Sequence, residues 1–189
     1  MSYKFMIPGT PAYWADSSGL KFREFDSYPI NVPGSDVTPS PNPAGLSSSA
    51  WGNRAQGTVT SIELSVTASN TSFVYRGYFK PDQTSASWQF RTRSNDGSFL
   101  WIDEDANLST TELVTNDAIV KNGGTHPDTT VTSGQLTLSQ SADDDLYYAI
   151  ALVYGNKPGG GSIRLDFRRD GGDWQTDGTG FYFHDSRRN

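Results

Sequence analysis

The sequence predicts an all-β fold, an antiparallel sandwich or barrel. Three observations carry this expectation. From Thr58 onward, short runs of alternating apolar and polar residues follow one another. Clusters of turn-forming residues separate them. No stretch keeps an apolar period of 3.6 residues over ten or more positions. Nineteen glycines in 189 residues suit a chain with many turns, and the length suits a single domain with its own core.

The elements follow in order. Residues 1–18, including "AYWADS", read as an N-terminal arm, and residues 19–185 as the sandwich. "LKFREF" (Leu20 to Phe25) alternates and predicts a strand. "NVPGSDVTPSPNPAGLSSSAWGNRAQG" (residues 31–57) is rich in Pro, Ser and Gly and reads as a long irregular insertion. "TVTSIELSVTA" (Thr58 to Ala68) predicts one alternating strand. "FVYRGYFK" (Phe73 to Lys80), "SWQFRTR" (Ser87 to Arg93) and "SFLWID" (Ser98 to Asp103) follow, each after a turn. "NLSTTELVTNDAIVKN" (Asn107 to Asn122) is the one weak helix candidate. "GQLTLSQ" (Gly134 to Gln140) alternates again. "LYYAIALVYG" (Leu146 to Gly155) is unbroken apolar sequence, as for a strand buried on both faces. "SIRLDFRR" (Ser162 to Arg169) and "TGFYFHD" (Thr179 to Asp185) close the domain, and residues 186–189 are a tail.

Composition narrows the function. The formal net charge of -6 argues against nucleic acid as a partner, since phosphate binding needs clustered Lys and Arg. The acids are mostly Asp, with Glu only at positions 24, 63, 104 and 112, which places charge in turns at strand ends. Without cysteine there is no disulfide, no thiolate nucleophile and no thiolate metal site. "MSYKFMIPGTPAYW" lacks the apolar core of a signal peptide. The run at Leu146–Gly155 is too short for membrane insertion, which takes about 20 residues.

Catalytic chemistry is poorly served. The two histidines, His126 and His184, stand alone, and there is no nucleophile elbow, His-Glu-x-x-His or zinc ligand set. The expectation is a protein that is not an enzyme. "GNKPGGGS" (Gly155 to Ser162) lacks a closing Lys-Ser/Thr and a following helix, so it reads as a hairpin loop and not a phosphate cradle. "ADDD" (Ala142 to Asp145) reads as a solvated turn.

Oxygen-ligand chemistry is better served. Ca²⁺ takes six to eight oxygens from carboxylates, amides and backbone carbonyls. Two loops are dense in them: Asn95-Asp96-Gly97, and Asp170 to Gly178 with Asp170, Asp173, Gln175 and Asp177 around Trp174. Asn-Asp-Gly and Asp-Gly-Gly are equally ordinary turn sequences, so the residues alone leave both readings open.

Gly77-Tyr78-Phe79-Lys80-Pro81, Trp88-Gln89-Phe90, Asn95-Asp96-Gly97, Leu100-Trp101-Ile102-Asp103 and Tyr147-Tyr148, in that order and followed by a Gly-rich hairpin, resemble the PA14 family and its relatives in flocculin-type and GLEYA-like adhesins. The resemblance covers roughly Gly19 to Phe183. It implies a PA14-like antiparallel β-sandwich, single-domain, with the Pro/Ser-rich segment as an N-terminal loop. It also implies a cis peptide at the acidic pair, one Ca²⁺ held by that pair and by a second loop between the last two strands, and glycan hydroxyls bound directly to the metal. Carried onto this chain, the metal ligands are Asn95, Asp96, Asp170, Asp173, Gln175 and Asp177. The carbohydrate-binding residues are Asn95, Asp96, Gln175 and Trp174, the last stacking on a pyranose. Asn95 departs from the pattern, because lectin-like members usually carry Asp there and an amide contributes no charge.

The expected function is therefore a Ca²⁺-dependent, lectin-like adhesion module that recognises glycans or cell-surface polysaccharide, placed outside the cell or on its surface. The alternative is a virion structural protein, a capsid decoration or tail component whose sandwich is a building block. In either case neighbouring subunits of a larger adhesin or of a virion are possible partners.

Overall fold

The computed structural model describes residues 15–25, 55–82, 86–103, 118–140, 146–157 and 159–185. Residues 1–14 of the expected arm, 31–54 of the Pro/Ser insertion, 107–117 of the helix candidate, the acidic cluster 142–145 and the tail 186–189 lie outside the described residues.

Thirteen strands form among them: β1 (Ser17–Ser18), β2 (Leu20–Phe25), β3 (Gln56–Val59), β4 (Glu63–Val66), β5 (Thr71–Phe79), β6 (Ala86–Asn95), β7 (Ser98–Asp103), β8 (Val120–Asn122), β9 (Thr129–Thr132), β10 (Leu136–Leu138), β11 (Tyr148–Asn156), β12 (Gly161–Arg169) and β13 (Tyr182–His184). Every pairing is antiparallel. One sheet runs β1-β13-β5-β11-β7-β8, with β2 continuing the line of β13 along β5 and β3 outside β2. The other runs β10-β6-β12-β4, with β9 and β10 sharing one edge of β6. The fold is thus the all-β antiparallel sandwich expected from the sequence.

Alternation explains the packing. Trp88, Phe90 and Thr92 of β6 and Ile163, Leu165 and Phe167 of β12 point inward. They meet Phe73, Tyr75 and Phe79 of β5 and Tyr148, Ile150, Leu152 and Tyr154 of β11. Phe79 is the hub. Its ring lies edge-on to Trp88 at 5.0 Å, to Phe90 at 5.1 Å and to Phe167 at 5.5 Å, which joins the two sheets through one side chain. β11 lies between β5 and β7 and all nine of its residues are buried, as its unbroken apolar sequence predicts. Two residues before Phe79, Gly77 faces the carbonyl of Phe183 and the Leu20 side chain, so close that a β-carbon would collide with both.

Two local expectations are corrected. The run Thr58–Ala68 is not one strand: β3 pairs with β2 in the first sheet, and β4 pairs with β12 in the second. The chain crosses between sheets at Thr60–Ile62, where Ile62 is buried in the core. The described end of the helix candidate is also extended, with Val120–Asn122 pairing along β7.

Phe79→Ala is expected to lower unfolding stability by about 3–5 kcal/mol, because the hub ring has no neighbour able to refill its place. Urea denaturation of the two proteins measures it.

Candidate functional site

Strand direction decides which loops meet. At one end of the sandwich, here the tip, lie Asp96–Gly97 between β6 and β7, residues 123–128 between β8 and β9, residues 157–160 between β11 and β12, and the turn at 67–70 before β5. The register fixes this grouping: Asn95 pairs with Ser162, Ser98 with Asn122, Ser94 with Thr129 and Thr71 with Asn156.

Asp96 is the centre of the tip. Only 4% of it is exposed. Its Oδ1 accepts the backbone N–H of His126 at 3.1 Å and its Oδ2 that of Lys157 at 2.8 Å, so one carboxylate ties three loops together. The peptide between Asn95 and Asp96 is cis. Beneath it runs a buried hydroxyl chain. Asn122 Nδ2 donates to Ser94 Oγ at 3.0 Å, Ser94 and Ser98 share a hydrogen bond at 2.8 Å, and Ser98 donates to Thr92 Oγ1 at 2.8 Å. These four polar side chains are all in the sandwich interior and satisfy one another, which makes a firm floor.

Asn156 closes the opposite side. Its Nδ2 donates to Ala68 O at 2.8 Å and to Gly159 O at 3.1 Å, fastening the 157–160 turn to the β4–β5 turn. Its Oδ1 is buried and has no hydrogen-bond partner. A buried acceptor left without a protein partner is costly, and Trp88 Nε1 and Tyr182 Oη in the core share this condition. Among the described residues no three His, Cys, Asp or Glu side chains gather to hold a metal ion. A cation at the tip would have to use the Asp96 carboxylate, the Asn95 and Asn156 amide oxygens and backbone carbonyls. Each Asp96 oxygen keeps a lone pair after accepting one N–H. That all-oxygen set suits a hard cation such as Ca²⁺, and a single formal charge suits weak binding.

The second expected loop is not part of the tip. Asp170 follows the far end of β12. Its N–H donates to Ser87 O at 2.7 Å and its carboxylate accepts from Ser87 N at 2.9 Å. With Asn95 opposite Ser162 and Trp88 opposite Arg169, Asp96 and Asp170 are about 30 Å apart along the strands. The grouping of Asp170, Asp173, Gln175 and Asp177 with Asn95 and Asp96 is therefore corrected. The segment folds back along β12, with Gln175 bridging Phe167, and Asp177 accepts from Thr179 in its own turn. Trp174 is likewise away from the tip. Its ring centre lies 4.2 Å from the Arg91 guanidinium and 4.5 Å from that of Arg168 on the outer face of the second sheet.

Under that ring sits an ionic cluster. Asp166 accepts from Arg91 Nε at 2.8 Å, Arg164 Nε at 2.7 Å and Thr176 Oγ1 at 2.7 Å, and its side chain is 2% exposed. Burial pushes its pKa up, but the hydrogen bonds from Arg164, Thr176 and Arg91 outweigh burial and hold it below the ordinary carboxylate range.

The fold defines a class: an all-β antiparallel sandwich of the PA14 type. Residues 71–169, just over half of the chain, match the sequence model of the GLEYA domain, and the chain belongs to that family. Solved structures agree in fold. The PA14 sugar-binding domain from an RTX adhesin aligns with a TM-score of 0.60 at 15% identity, covering 89% of this chain and 99% of that one. The Epithelial Adhesin 9 A domain from Candida glabrata in complex with Galβ1-4GlcNAc aligns with a TM-score of 0.60 at 18% identity, covering 91% and 92%. The Epithelial Adhesin 6 A domain from the same organism, in complex with Galβ1-3GlcNAc, gives 0.57 at 16% identity, covering 94% and 89%. No curated protein sequence matches the chain.

Three features of the tip escape the sequence reading: Asn156, and the backbone N–H groups of His126 and Lys157. The Gly-rich hairpin Gly155–Ser162 carries two of the three. Its place at the tip follows only from counting strand directions.

The Asp166 cluster gives a pH prediction. Its folded pKa lies below the unfolded value of about 3.9. The carboxylate thus stabilises the fold above that pH, and the contribution is lost as pH falls through the lower folded value. The melting temperature is expected to drop on acidification below about pH 4. In Asp166→Asn, which is less stable at pH 7, that acid limb should be shallower in thermal melts taken from pH 2 to pH 7.

Proposed function

We propose that this domain is a glycan-binding adhesion module whose binding site is the tip, and that Ca²⁺ assists it there. One observation carries the reading: a buried carboxylate, Asp96, joins three loops at the end of the sandwich that also holds the buried Asn156 amide oxygen. A buried acid with this placement organises the tip loops and not the apolar core. The family and the solved relatives whose titles name sugar binding or bound disaccharides support the ligand class.

The tip suits a polyhydroxyl ligand. Its acceptors are Asp96, the Asn95 and Asn156 amides and turn carbonyls, and Ca²⁺, when bound, would accept sugar hydroxyls in place of water because its coordination is adaptable. Asn95 and Asp96 keep their expected roles, and Asn156 takes the place assigned from the sequence to the Asp170–Asp177 loop. No Phe, Tyr or Trp falls within residues 94–98, 123–128 or 157–161. Recognition here therefore rests on hydroxyl coordination and hydrogen bonds, with Trp174 engaged elsewhere.

Glycan-array screening with and without chelator, followed by calorimetry on the best ligand, tests the proposal. Binding should fall on chelation and return with millimolar Ca²⁺. Asp96→Asn should weaken it on the order of a hundredfold, about 2.7 kcal/mol. Asp173→Asn and Asp177→Asn should leave it unchanged. Binding that ignores chelator and Asp96 but follows Asp173 or Asp177 would overturn the assignment.

A further inference from the structure

We infer that Tyr154 is a positioning residue for the tip: its buried hydroxyl fixes the Asn95 carbonyl and so sets the height of the Asn95–Gly97 loop over the crevice. The binding consequence rests on the function proposed above, whereas the anchoring itself does not.

Tyr154 sits near the end of β11, the central strand, and is wholly buried. Its ring stacks on Phe73 of β5 with centroids 6.2 Å apart, which fixes where the hydroxyl reaches. From there the hydroxyl donates to Asn95 O at 2.7 Å. The strand pairing brings the same loop back a second time, since the Gly155 N–H donates to Gly97 O at 2.9 Å. Two consecutive residues of β11 therefore hold two carbonyls that flank Asp96.

The opposite wall depends on the same hydroxyl. Gly161, the first residue of β12, passes so close that a β-carbon there would strike both Tyr154 Oη and Asn156 Oδ1. Glycine at this position lets the anchored hydroxyl and the unpartnered amide oxygen lie side by side at the tip. A phenol in the apolar interior would otherwise be a poor choice at this position. Phe73 and Tyr154 would pack equally well as two phenylalanines, and burying a hydroxyl carries a desolvation cost that only a specific acceptor offsets.

Tyr148 provides an internal control. It lies on the same strand and the same inward face, at the opposite end. It too has a buried ring and a hydroxyl bonded to backbone, donating to Ser139 O at 3.0 Å and accepting from Ser139 N at 2.9 Å. Removing either hydroxyl takes one polar atom from β11, but only one of the two touches the tip.

The experiment compares wild type, Tyr154→Phe and Tyr148→Phe by amide hydrogen exchange without ligand and by titration with Ca²⁺ and with the best glycan. Exchange at Gly155 is expected to rise at least tenfold in Tyr154→Phe and to stay at the wild-type rate in Tyr148→Phe. Ca²⁺ and glycan should each bind about tenfold more weakly to Tyr154→Phe only, a change of about 1.4 kcal/mol. Equal Gly155 exchange in all three proteins would overturn the inference, as would equal loss of affinity in both variants. If wild type binds neither Ca²⁺ nor glycan while Gly155 exchange rises in Tyr154→Phe alone, the anchoring stands and the proposed function falls.

Discussion

The register of β6 against β12 governs what this domain can do. With Asn95 opposite Ser162 and Trp88 opposite Arg169, each oxygen-rich loop is assigned to one end of the sandwich and denied to the other. A slip of one residue would turn one strand's inward set out of the core, Phe90 of β6 or Leu165 and Phe167 of β12, so the aromatic packing around Phe79 locks the register. The chemistry of the tip is thus a consequence of core packing some distance below it. The link runs through β11, whose inner face contributes Ile150 and Leu152 to the core and whose last residues, Tyr154 to Asn156, reach the crevice.

Much of the fold was legible because burial leaves a period-two mark. β2 and β7 coincide with the expected "LKFREF" and "SFLWID", and the apolar run 146–155 marks β11 because a central strand is covered on both faces. The crossing at Thr60–Ile62 was not legible. Val59 before it and Leu64 and Val66 after it sustain an apolar run across the break, and alternation carries no record of which sheet a strand joins. β9, "TTVT", lies on an edge with only alternate residues half-buried, so its polar sequence shows no strand signal.

The tip itself was legible in part. Asn95-Asp96-Gly97 stood out by its neighbours, and the cis peptide implied by the family resemblance is present. The partner loop was misassigned because oxygen content is a local property and proximity is not. β6 reaches the tip at Asn95, β7 leaves it, β11 returns to it at Asn156 and β12 leaves again. Asp170, at the end of β12, therefore has to be at the base, however rich its loop is in carboxylates. Trp174 shows the same lesson for aromatics. The ring expected beside the acidic pair lies instead over Arg91 and Arg168.

Asn156 holds a further consequence. An amide whose nitrogen is fastened twice, to Ala68 and to Gly159, has no freedom to swing its head round. Its oxygen is held in one direction, and it turns a lone pair, never a donor, to its surroundings.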